Sequence, residues 1–424
     1  MRILWISSHG GNYKSKEVTG TGSWIGALQD VLHGKMHDIE LAIAFHHPHD
    51  TEVVVENNVT YHPISTDVNH TLFDKLKSRL RLYVDKHEEQ VAKAISNLKR
   101  IIEDYKPDLV HVWGVENMYS AIIPHISDKI PVVVHIQGLA SAYIHCYAPP
   151  FVSVNDINYS NGLLRKWKGT SGPMNHLRKF RRRVENELSV SKHVKFWIGR
   201  TAWDKEMSKI LSPNSQYFHC DEILRNVFYE GKSWSYHYDG QTLHILSVIS
   251  CDWYKGGDII LKTAKILKES GVIFSWDIYG WTSDNPIINT FARKFGINPK
   301  DVDVHFMGNA TASTIKEALM KADVFVHPSY IENSSNAISE AMLSGTPVIA
   351  NNVGGNASML PNGSGILVPP NEPYTMAAKI MQLRNKEQAE QLSKLALEIA
   401  RERHEKDKIA HDLMGIYETI LKTT

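Results

Sequence analysis

Two acidic side chains in the second half of the chain have the type and the spacing that could hold a polar ligand. Glu332 lies in a polar turn, and Glu340 follows eight positions later in a segment whose pattern predicts a helix to about Leu343. With a rise of about 1.5 Å per residue, the two carboxylates would lie roughly 12 Å apart. That is the length of a nucleotide sugar, which carries hydroxyl groups at both ends.

The same segment offers backbone groups for an anion. Asn333 or Ser334 is predicted to cap the helix. The N–H groups of Ser335, Asn336 and Ala337 would then lie at the positive end of the helix dipole, which suits a diphosphate. Many α/β proteins have a polar turn between a strand and a helix without such a ligand, so the spacing alone leaves both interpretations open.

A buried strand must position this turn. Asp323–His327 is a short apolar run that ends at Pro328, as expected for a strand in a parallel sheet. Strand, loop and helix recur through both halves of the chain, which predicts an α/β fold with ligands at the carboxyl edge of the strands. Further strands, some with their turns, are predicted at Ile3–Ile6, Ile39–Phe45, Lys106–Gly114, Ile130–Gly138, Val194–Ile198, Leu243–Ser250, Phe274–Tyr279, Val302–Met307, Val348–Ala350 and Gly365–Val368. Helices are predicted from about Trp24, at 72–104, Asp258–Lys268 and Ala312–Lys321, and over most of Tyr374–Lys422.

The composition predicts two domains and a limited set of partners. The chain has 424 residues, 42% of them hydrophobic and 22% charged, which exceeds the usual size of one domain. We predict an N-terminal Rossmann-like domain at 1–220, a linker at 221–240, a C-terminal Rossmann-like domain at 241–405, and a last helix at 406–424 that packs back on the first domain. The formal net charge of +1 argues against a general nucleic-acid binder.

The cysteines and the N-terminus favour the cytoplasm. Cys146, Cys220 and Cys251 are widely separated and match no disulfide or metal spacing. The first residues lack the pattern of a signal peptide, and no apolar run reaches the roughly 20 residues that span a bilayer. We therefore expect a cytoplasmic protein.

Glycine-containing loops follow several predicted strands. Gly20 and Gly22 precede the first helix, an arrangement that opens many nucleotide-binding domains, although no complete G-x-G-x-x-G is present. Lys255 lies in a second loop, where it could contact a diphosphate or be an ordinary solvent-exposed lysine. Gly308 ends another predicted strand, and its backbone could contact a base.

His135 and the histidine-rich segment His46–Asp50 could each have a functional role. His135 ends an apolar strand, where it could face a ligand or be a hydrogen-bonded structural imidazole. The cluster at His46–Asp50 matches no common metal site, so we interpret it as an exposed polar loop.

The most basic stretch lies at Leu163–Arg183 and mixes Lys and Arg with Trp and Phe. It is either the solvated face of a helix or a surface for anionic lipid or a phosphorylated acceptor. No nucleic-acid-binding motif accompanies it.

An ordered series of motifs resembles a known family. It comprises Lys255-Gly256, Phe306–Gly308, His327–Ser329, Glu332 with Glu340–Met342, Gly345–Val348 and Gly354-Gly355. This series is similar to the C-terminal half of retaining glycosyltransferases of family four. The first half is more loosely similar, through Lys106–Asp108 with His111 and through Pro131–His135. The resemblance covers nearly the whole chain and implies the GT-B architecture, in which two Rossmann-like domains face a central cleft.

The resemblance also implies roles for the residues above. Glu332 would contact hydroxyl groups of the donor sugar, and Glu340 would hold the nucleotide ribose. Lys255 and the amides at 335–337 would bind the diphosphate. His135 would orient the sugar and help to stabilise the transition state. The resemblance implies neither a metal cofactor nor a protein nucleophile, and a front-face displacement that retains the anomeric configuration is expected.

One position departs from the family pattern. Many members carry an arginine where this chain has Ser250. Either Arg200 or Arg225 supplies the missing charge, or the diphosphate is held more weakly, and we favour the first alternative. The resemblance implies transfer from a UDP- or GDP-sugar to a glycan or lipid-linked glycan, in polysaccharide or glycoconjugate biosynthesis. Peripheral membrane contact would run through Arg165–Arg183. The alternatives are a sugar-nucleotide-binding protein without activity and a GT-B epimerase or phosphorylase, and the cofactor lysine signature of phosphorylases is not found.

Overall fold

The chain divides into two compact units, each with its own parallel sheet. A computed structural model describes residues 1–15, 23–35, 39–49, 51–68, 86–159 and 173–423. Unit 1 comprises Met1–Ile144, Leu163–Ile223 and Lys406–Thr424. Unit 2 comprises His145–Gly162 and Leu224–Glu405.

The strands are β1 Arg2–Ser7, β2 Glu40–His46, β3 Val54–Glu56, β4 Val59–Ile64, β5 Leu109–Trp113, β6 Val132–His135, β7 Phe196–Gly199, β8 Gln216–His219, β9 Leu243–Val248, β10 Phe274–Tyr279, β11 Val304–Gly308, β12 Val324–His327, β13 Val348–Asn351 and β14 Ile366–Val368. Every strand predicted from the sequence is present within one to three residues of the observed bounds. Strands β3, β4 and β8 were not predicted. In β4, Pro63 interrupts the pattern, although Val59 and Tyr61 still point to the buried face.

The helices are α1 Ser23–Lys35, α2 His87–Tyr105, α3 Ile123–Ile126, α4 Ala140–Tyr143, α5 Val154–Tyr159, α6 Pro173–Ser191, α7 Ala202–Leu211, α8 Gly257–Glu269, α9 Pro286–Phe295, α10 Ala312–Lys321, α11 Asn336–Ser344, α12 Asn356–Met359, α13 Pro373–Gln382, α14 Lys386–Arg403 and α15 Lys406–Thr423. Of the helix predicted at 72–104, the part before residue 86 lies outside the described residues. The observed α2 begins at His87, with Glu88 and Glu89 in its first turn, where acidic side chains complement the helix dipole.

The sheet of unit 1 has, within the described residues, the order β3-β4-β2-β1-β5-β6-β7-β8. Neighbouring strands are parallel except for β3 and β4. One face packs against α1 and α15 through side chains such as Trp24 and Leu413, and the other packs against α2 through Leu98 and Ile102. Helices on both faces explain why the central strands are apolar along their whole length.

The sheet of unit 2 has the order β11-β10-β9-β12-β13-β14 over the described residues, and its strands are parallel. Helices α10, α11 and α14 cover one face and contribute Leu319, Ile338 and Ala396 to its core. The chain proceeds outward from β9 on one side and outward from β12 on the other. The order therefore reverses between β9 and β12, and a crevice for a ligand is expected at the carboxyl ends of these two strands.

The fold-class prediction is confirmed by these two parallel α/β units. The structure divides the predicted linker at 221–240, because its first three residues belong to unit 1 and the rest to unit 2. Leu224, Phe228 and Trp234 are buried in unit 2, where the indole of Trp234 donates to the carbonyl of Ala322. Residues 145–162 also group with unit 2, whereas α15 belongs to unit 1.

Candidate active site

The loops after β9 and β12 meet at the reversal point of unit 2. The amide of Tyr330 donates to the carbonyl of Tyr254 over 2.8 Å. Gly256 has a φ of 77°, and a Cβ atom there would lie 2.1 Å from the carbonyl oxygen of Pro328. Glycine is required at this position both for the backbone conformation and for the close approach. The two loops are thus held in direct contact, which brings Lys255 to the turn that carries Glu332.

Glu332 is an ionised carboxylate that two side chains hold by the same oxygen. The Nζ atom of Lys255 lies 2.5 Å from its Oε1 atom, and Nε2 of His327 lies 2.8 Å from Oε1. Burial would raise the pKa of this carboxyl, but the charge of Lys255 and the hydrogen bond from His327 outweigh burial and hold the pKa well below its usual range. Lys255 was predicted as a diphosphate contact, and the structure places it against Glu332.

The glycine pair after β13, Gly354-Gly355, packs against the backbone of the turn that carries Glu332. The amide of Gly355 donates to the carbonyl of Glu332 over 3.0 Å. Gly354 has a φ of 50°, and a Cβ atom there would lie 1.9 Å from that same carbonyl oxygen. The side chain of Asn351 donates to the carbonyls of Pro328 and, at 3.2 Å, Ser329. These contacts fix the backbone of the turn independently of the Glu332 side chain.

Glu340 has a cationic partner of its own in the same unit. It lies in α11, and its two carboxylate oxygens accept from Nε and one terminal nitrogen of Arg225 over 2.8 and 2.7 Å. Burial raises the pKa of Glu340, and the paired guanidinium opposes that shift. A bidentate pair of this kind fixes the plane of the carboxylate as well as its position.

Of the two arginines proposed to replace the missing family cation, Arg225 is the one in unit 2. Arg200 is buried in unit 1, where it donates to the carbonyl of Ile136 over 3.1 Å and lies 3.6 Å from Glu222. Ser250 hydrogen-bonds to Asp252 instead of contributing a charge. The structure therefore brings Arg225, not Arg200, into the unit of Lys255 and Glu340, and the prediction of Arg200 as a donor ligand stays untested.

The start of α11 corrects one prediction. Ser335 is the residue that precedes the helix, whereas Asn333 and Ser334 were predicted as caps. Asn333 and Ser334 lie in the turn that carries Glu332, and the helical backbone begins only at Asn336. The Ser335 side chain makes no capping hydrogen bond. The first-turn amides of Asn336 and Ala337 therefore stand at the helix dipole without a side-chain cap.

His135 lies in an aromatic stack in unit 1. It ends β6 with 1% of its surface exposed, and its ring stacks on Trp113 at 4.8 Å with Trp24 at its edge. Neither ring nitrogen has a hydrogen-bond partner among the described residues. Burial, reinforced by the charges of His111 and Arg200, lowers the pKa of His135, which leaves the ring neutral. A role of His135 in donor binding stays a prediction.

Of the three glycines predicted as nucleotide contacts, the structure describes only Gly308. Gly20 and Gly22 lie outside the described residues. Gly308 ends β11, where its amide donates to the carbonyl of Trp281 and its carbonyl accepts from the amide of Gly280, both over 2.8 Å. A contact between this amide and a base stays a prediction, and the amide already has a protein partner.

Sequence reasoning did not single out His327, which contacts Glu332, or Trp113, which stacks on His135, and did not pair Arg225 with Glu340. His327 was named only as part of a motif, although a polar residue at the end of a buried strand was the signal that could have identified it. In the part of the chain that the structure describes, no group of three or more His, Cys, Asp or Glu side chains could hold a metal ion. Within the same ranges, no helix is long and apolar enough to cross a bilayer.

Comparisons with known proteins match part of this chain to glycosyltransferases. Residues 242–386 match the family model described as "Glycosyl transferases group 1". The amylovoran biosynthesis glycosyltransferase AmsK of Erwinia amylovora is 30% identical over 152 residues, 34% of this chain and 36% of that protein. The putative colanic acid biosynthesis glycosyltransferase WcaL of Salmonella typhimurium is 29% identical over 150 residues, with the same shares. The matches thus span about a third of the length of these relatives.

Solved structures extend the likeness of fold to both units. Sucrose-phosphate synthase from Thermosynechococcus elongatus aligns over 100% of both chains with a TM-score of 0.72 and 17% identity. HepE of Anabaena, solved with UDP-glucose, aligns over 99% of this chain and 100% of its own with a TM-score of 0.61 and 14% identity. The fold is that of the GT-B proteins. Over residues 242–386 the chain thus matches the group 1 glycosyltransferase family, the family-four type that its motifs resemble.

Proposed function

We propose that this protein transfers a sugar from a nucleotide-sugar donor to a glycan or lipid-linked glycan with retention of the anomeric configuration. The observation that carries the proposal is the pair of carboxylates on either side of the α11 N-terminus. Glu332 and Glu340 are each held by a separate cation, Lys255 and Arg225. Two carboxylates held in this way, on either side of the first-turn amides of α11, suit a ligand with a sugar at one end, a ribose at the other and a diphosphate between them.

Each part of the donor has a partner in this arrangement. Glu332 accepts hydrogen bonds from the sugar hydroxyl groups, and Glu340, with its plane fixed by Arg225, accepts them from the ribose. The amides of Asn336 and Ala337 and the ammonium of Lys255 face the diphosphate. Lys255 has three N–H donors and donates one hydrogen bond, to Glu332, among the described residues, so it can bind Glu332 and a phosphate oxygen.

The chemistry follows from the charge that develops on the leaving group. The bond between the anomeric carbon and the phosphate oxygen breaks, and the nucleoside diphosphate takes both electrons. The amides of α11 and Lys255 stabilise that negative charge. The acceptor hydroxyl bonds to the anomeric carbon on the face that the phosphate leaves, and a donor phosphate oxygen takes its proton. Glu332 orients the sugar and forms no covalent bond, and His135 has the predicted task of orienting the donor sugar.

The named relatives and neighbours narrow the substrates that we propose. AmsK and WcaL are named for the biosynthesis of amylovoran and colanic acid, so we propose a role in polysaccharide or glycoconjugate biosynthesis. HepE was solved with UDP and with UDP-glucose, so we propose a UDP-sugar, before a GDP-sugar, as the donor. We propose the cytoplasm as the location, in line with the three free, widely separated cysteines.

Donor turnover tests the proposal directly. UDP-glucose, UDP-galactose, UDP-N-acetylglucosamine and GDP-mannose are screened for a rise in the melting temperature, because a ligand that binds the folded state stabilises it. The donor that binds is then incubated with a panel of glycan acceptors. We expect release of the nucleoside diphosphate and a new glycosidic bond with the donor's anomeric configuration, read by NMR. Binding without turnover would favour the non-catalytic alternative, and an altered sugar with no acceptor used up would favour an epimerase.

Helix α6 is the part of the predicted membrane surface that the structure describes; the stretch at 160–172 lies outside the described residues. Leu177 and Phe180 are buried, whereas Arg181 and Arg183 are exposed. The helix thus presents exposed cations on both flanks of its core-facing side, which supports our proposal that it touches an anionic lipid surface.

Replacing Arg181, Arg182 and Arg183 with Gln tests this surface. We expect about a hundredfold weaker binding to phosphatidylglycerol vesicles, since each cation near an anionic surface contributes about 1 kcal/mol. Co-sedimentation measures the binding, with phosphatidylcholine vesicles as the neutral reference. The matched control replaces three exposed lysines elsewhere with Gln: Lys386, Lys394 and Lys422. Equal losses in the two triple variants would show that only net charge matters, and this surface would then be solvated helix.

A further inference from the structure

His327 contacts the carboxylate that is proposed to bind the donor sugar. It is the last residue of β12, with 2% of its surface exposed, and its ring stacks on Phe325 with centroids 6.2 Å apart. Its Nε2 atom lies 2.8 Å from Oε1 of Glu332 and 3.1 Å from Oγ of Ser329. A strand end, a ring stack and two polar contacts together fix the position of this imidazole.

Both partners of the Glu332 side chain bind the same oxygen atom. Lys255 and His327 converge on Oε1, and no described residue hydrogen-bonds to Oε2. An ionised carboxylate can accept about four hydrogen bonds, two on each oxygen. Oε1 is therefore saturated by the protein, whereas Oε2 keeps its capacity for hydroxyl groups of a ligand.

The hydrogen bonds also define the proton on His327. Because the Glu332 carboxylate only accepts, Nε2 must carry the proton and donate it. Nδ1 is buried and has no hydrogen-bond partner among the described residues. The contact with Glu332 therefore requires a hydrogen on Nε2.

Lys255 and His327 differ in how firmly they can hold the carboxylate. The lysine ammonium lies at the end of a flexible four-carbon chain and is the group proposed to bind the diphosphate. The imidazole is confined by the strand, by Phe325 and by Ser329. If Lys255 shifts toward a phosphate, His327 is the described side chain that still holds Glu332.

We infer that His327 is a positioning residue that holds Glu332 by Oε1 so that Oε2 is presented to hydroxyl groups of the donor sugar. The inference rests on the proposed function and adds to it a division of tasks. Lys255 balances the negative charge of the diphosphate, and His327 fixes the orientation of the sugar-binding carboxylate. Loss of His327 should therefore affect recognition of the sugar and leave recognition of the nucleotide intact.

Two substitutions separate the hydrogen bond from the bulk of the ring. His327→Phe keeps a planar ring and removes both nitrogens, whereas His327→Gln can place an amide N–H close to the position of Nε2. We expect kcat/KM for the donor found in the screen to fall about 10- to 100-fold in the Phe variant, because hydrogen bonds to charged groups are strong. The Gln variant should recover most of that loss. Calorimetric affinity for UDP, which has no sugar, should change less than about twofold in both, as expected when the lost contact serves only the sugar.

The control is His305→Phe, at an exposed position of β11 in the same unit. Equal loss in the Phe and Gln variants would overturn the inference, because the hydrogen bond would not be what matters. An equal loss of affinity for UDP and for the nucleotide sugar would overturn it too, since the effect would then not be specific to the sugar.

A measurement without ligand distinguishes failure of the inference from failure of the proposed function. Long-range proton–nitrogen NMR spectra of the histidine-labelled wild-type protein are compared with those of His327→Gln, which identifies the His327 ring. We expect a ring with a proton on Nε2. A ring whose only proton is on Nδ1 would overturn the inference even if a donor is found. The expected tautomer with no donor in the screen would contradict the proposed function alone.

Discussion

Glu332→Gln is expected to lower donor turnover at least about a hundredfold and to leave the chain folded. The amide keeps the shape of the side chain but removes the charge that accepts hydrogen bonds from sugar hydroxyl groups. Bonds to a charged partner contribute about 1.5–3 kcal/mol each, and about 1.4 kcal/mol corresponds to a tenfold change in rate. Steady-state kinetics with the donor from the screen measure the loss.

The pH dependence of Glu332→Gln provides a second readout. The pKa of Glu332 lies well below its usual range, so the wild-type carboxylate is ionised throughout neutral and mildly acidic conditions. The ratio of wild-type to variant rates should therefore stay constant from about pH 6 to pH 9. A ratio that falls toward acidic pH would show that the carboxylate becomes protonated in that range, contrary to its contacts with Lys255 and His327.

A matched control separates the site from general effects of charge. Glu269→Gln removes an exposed carboxylate at the end of α8, and 63% of that side chain is accessible. It should leave turnover and the melting temperature nearly unchanged, as expected for a surface ion pair. Wild-type turnover in Glu332→Gln would remove this residue from the donor site.

Gly354→Ala is expected to destabilise unit 2 by about 3 kcal/mol or more and to abolish donor binding. The backbone there has a φ of 50°, which costs about 1–2 kcal/mol for a residue with a Cβ atom. The added carbon would also lie 1.9 Å from the carbonyl oxygen of Glu332, so the turn must move. Urea unfolding followed by tryptophan fluorescence measures the stability, and calorimetry measures binding.

Gly363→Ala is the control for backbone strain alone. Gly363 has a φ of 79°, and a Cβ atom there would meet nothing within 4 Å. We expect a loss of only about 1–2 kcal/mol and normal donor binding. If the two alanine variants lose equal stability, the close approach to Glu332 has no energetic consequence. If Gly354→Ala still binds the donor, the shape of the turn is not critical for the site.

The two ion pairs have a shared consequence for binding. Each buried carboxylate of the site faces one cation, so the protein does not leave an isolated buried charge when the donor is absent. A bound diphosphate would add negative charge next to Lys255 and the α11 N-terminus. This charge balance accounts for the presence of cations beside residues whose proposed partners are uncharged hydroxyl groups.

Much of the fold could be predicted from local patterns. Apolar runs identified the central strands of both sheets, because strands covered by helices on two faces are continuously hydrophobic. Gly256 and Gly354 were recognised through their motifs, and their backbone angles explain why glycine stands there. Strand β4 and the cap of α11 were harder to predict from the sequence. Pro63 interrupts the alternating pattern of β4, and several neighbouring polar residues could each be the cap of α11.

Local patterns predicted the ends of most strands to within three residues, the start of α11 to within a few positions, and the two glutamates that flank that start. These properties depend on local sterics and on the period of the hydrophobic pattern. Which cation faces which carboxylate depends instead on contacts between distant segments. Lys255 and Glu332 are 77 positions apart, and Arg225 and Glu340 are 115 apart. The first pair forms because β9 and β12 lie side by side, and the second because the segment at 226–229 packs against α11. Neither arrangement can be inferred from any local segment.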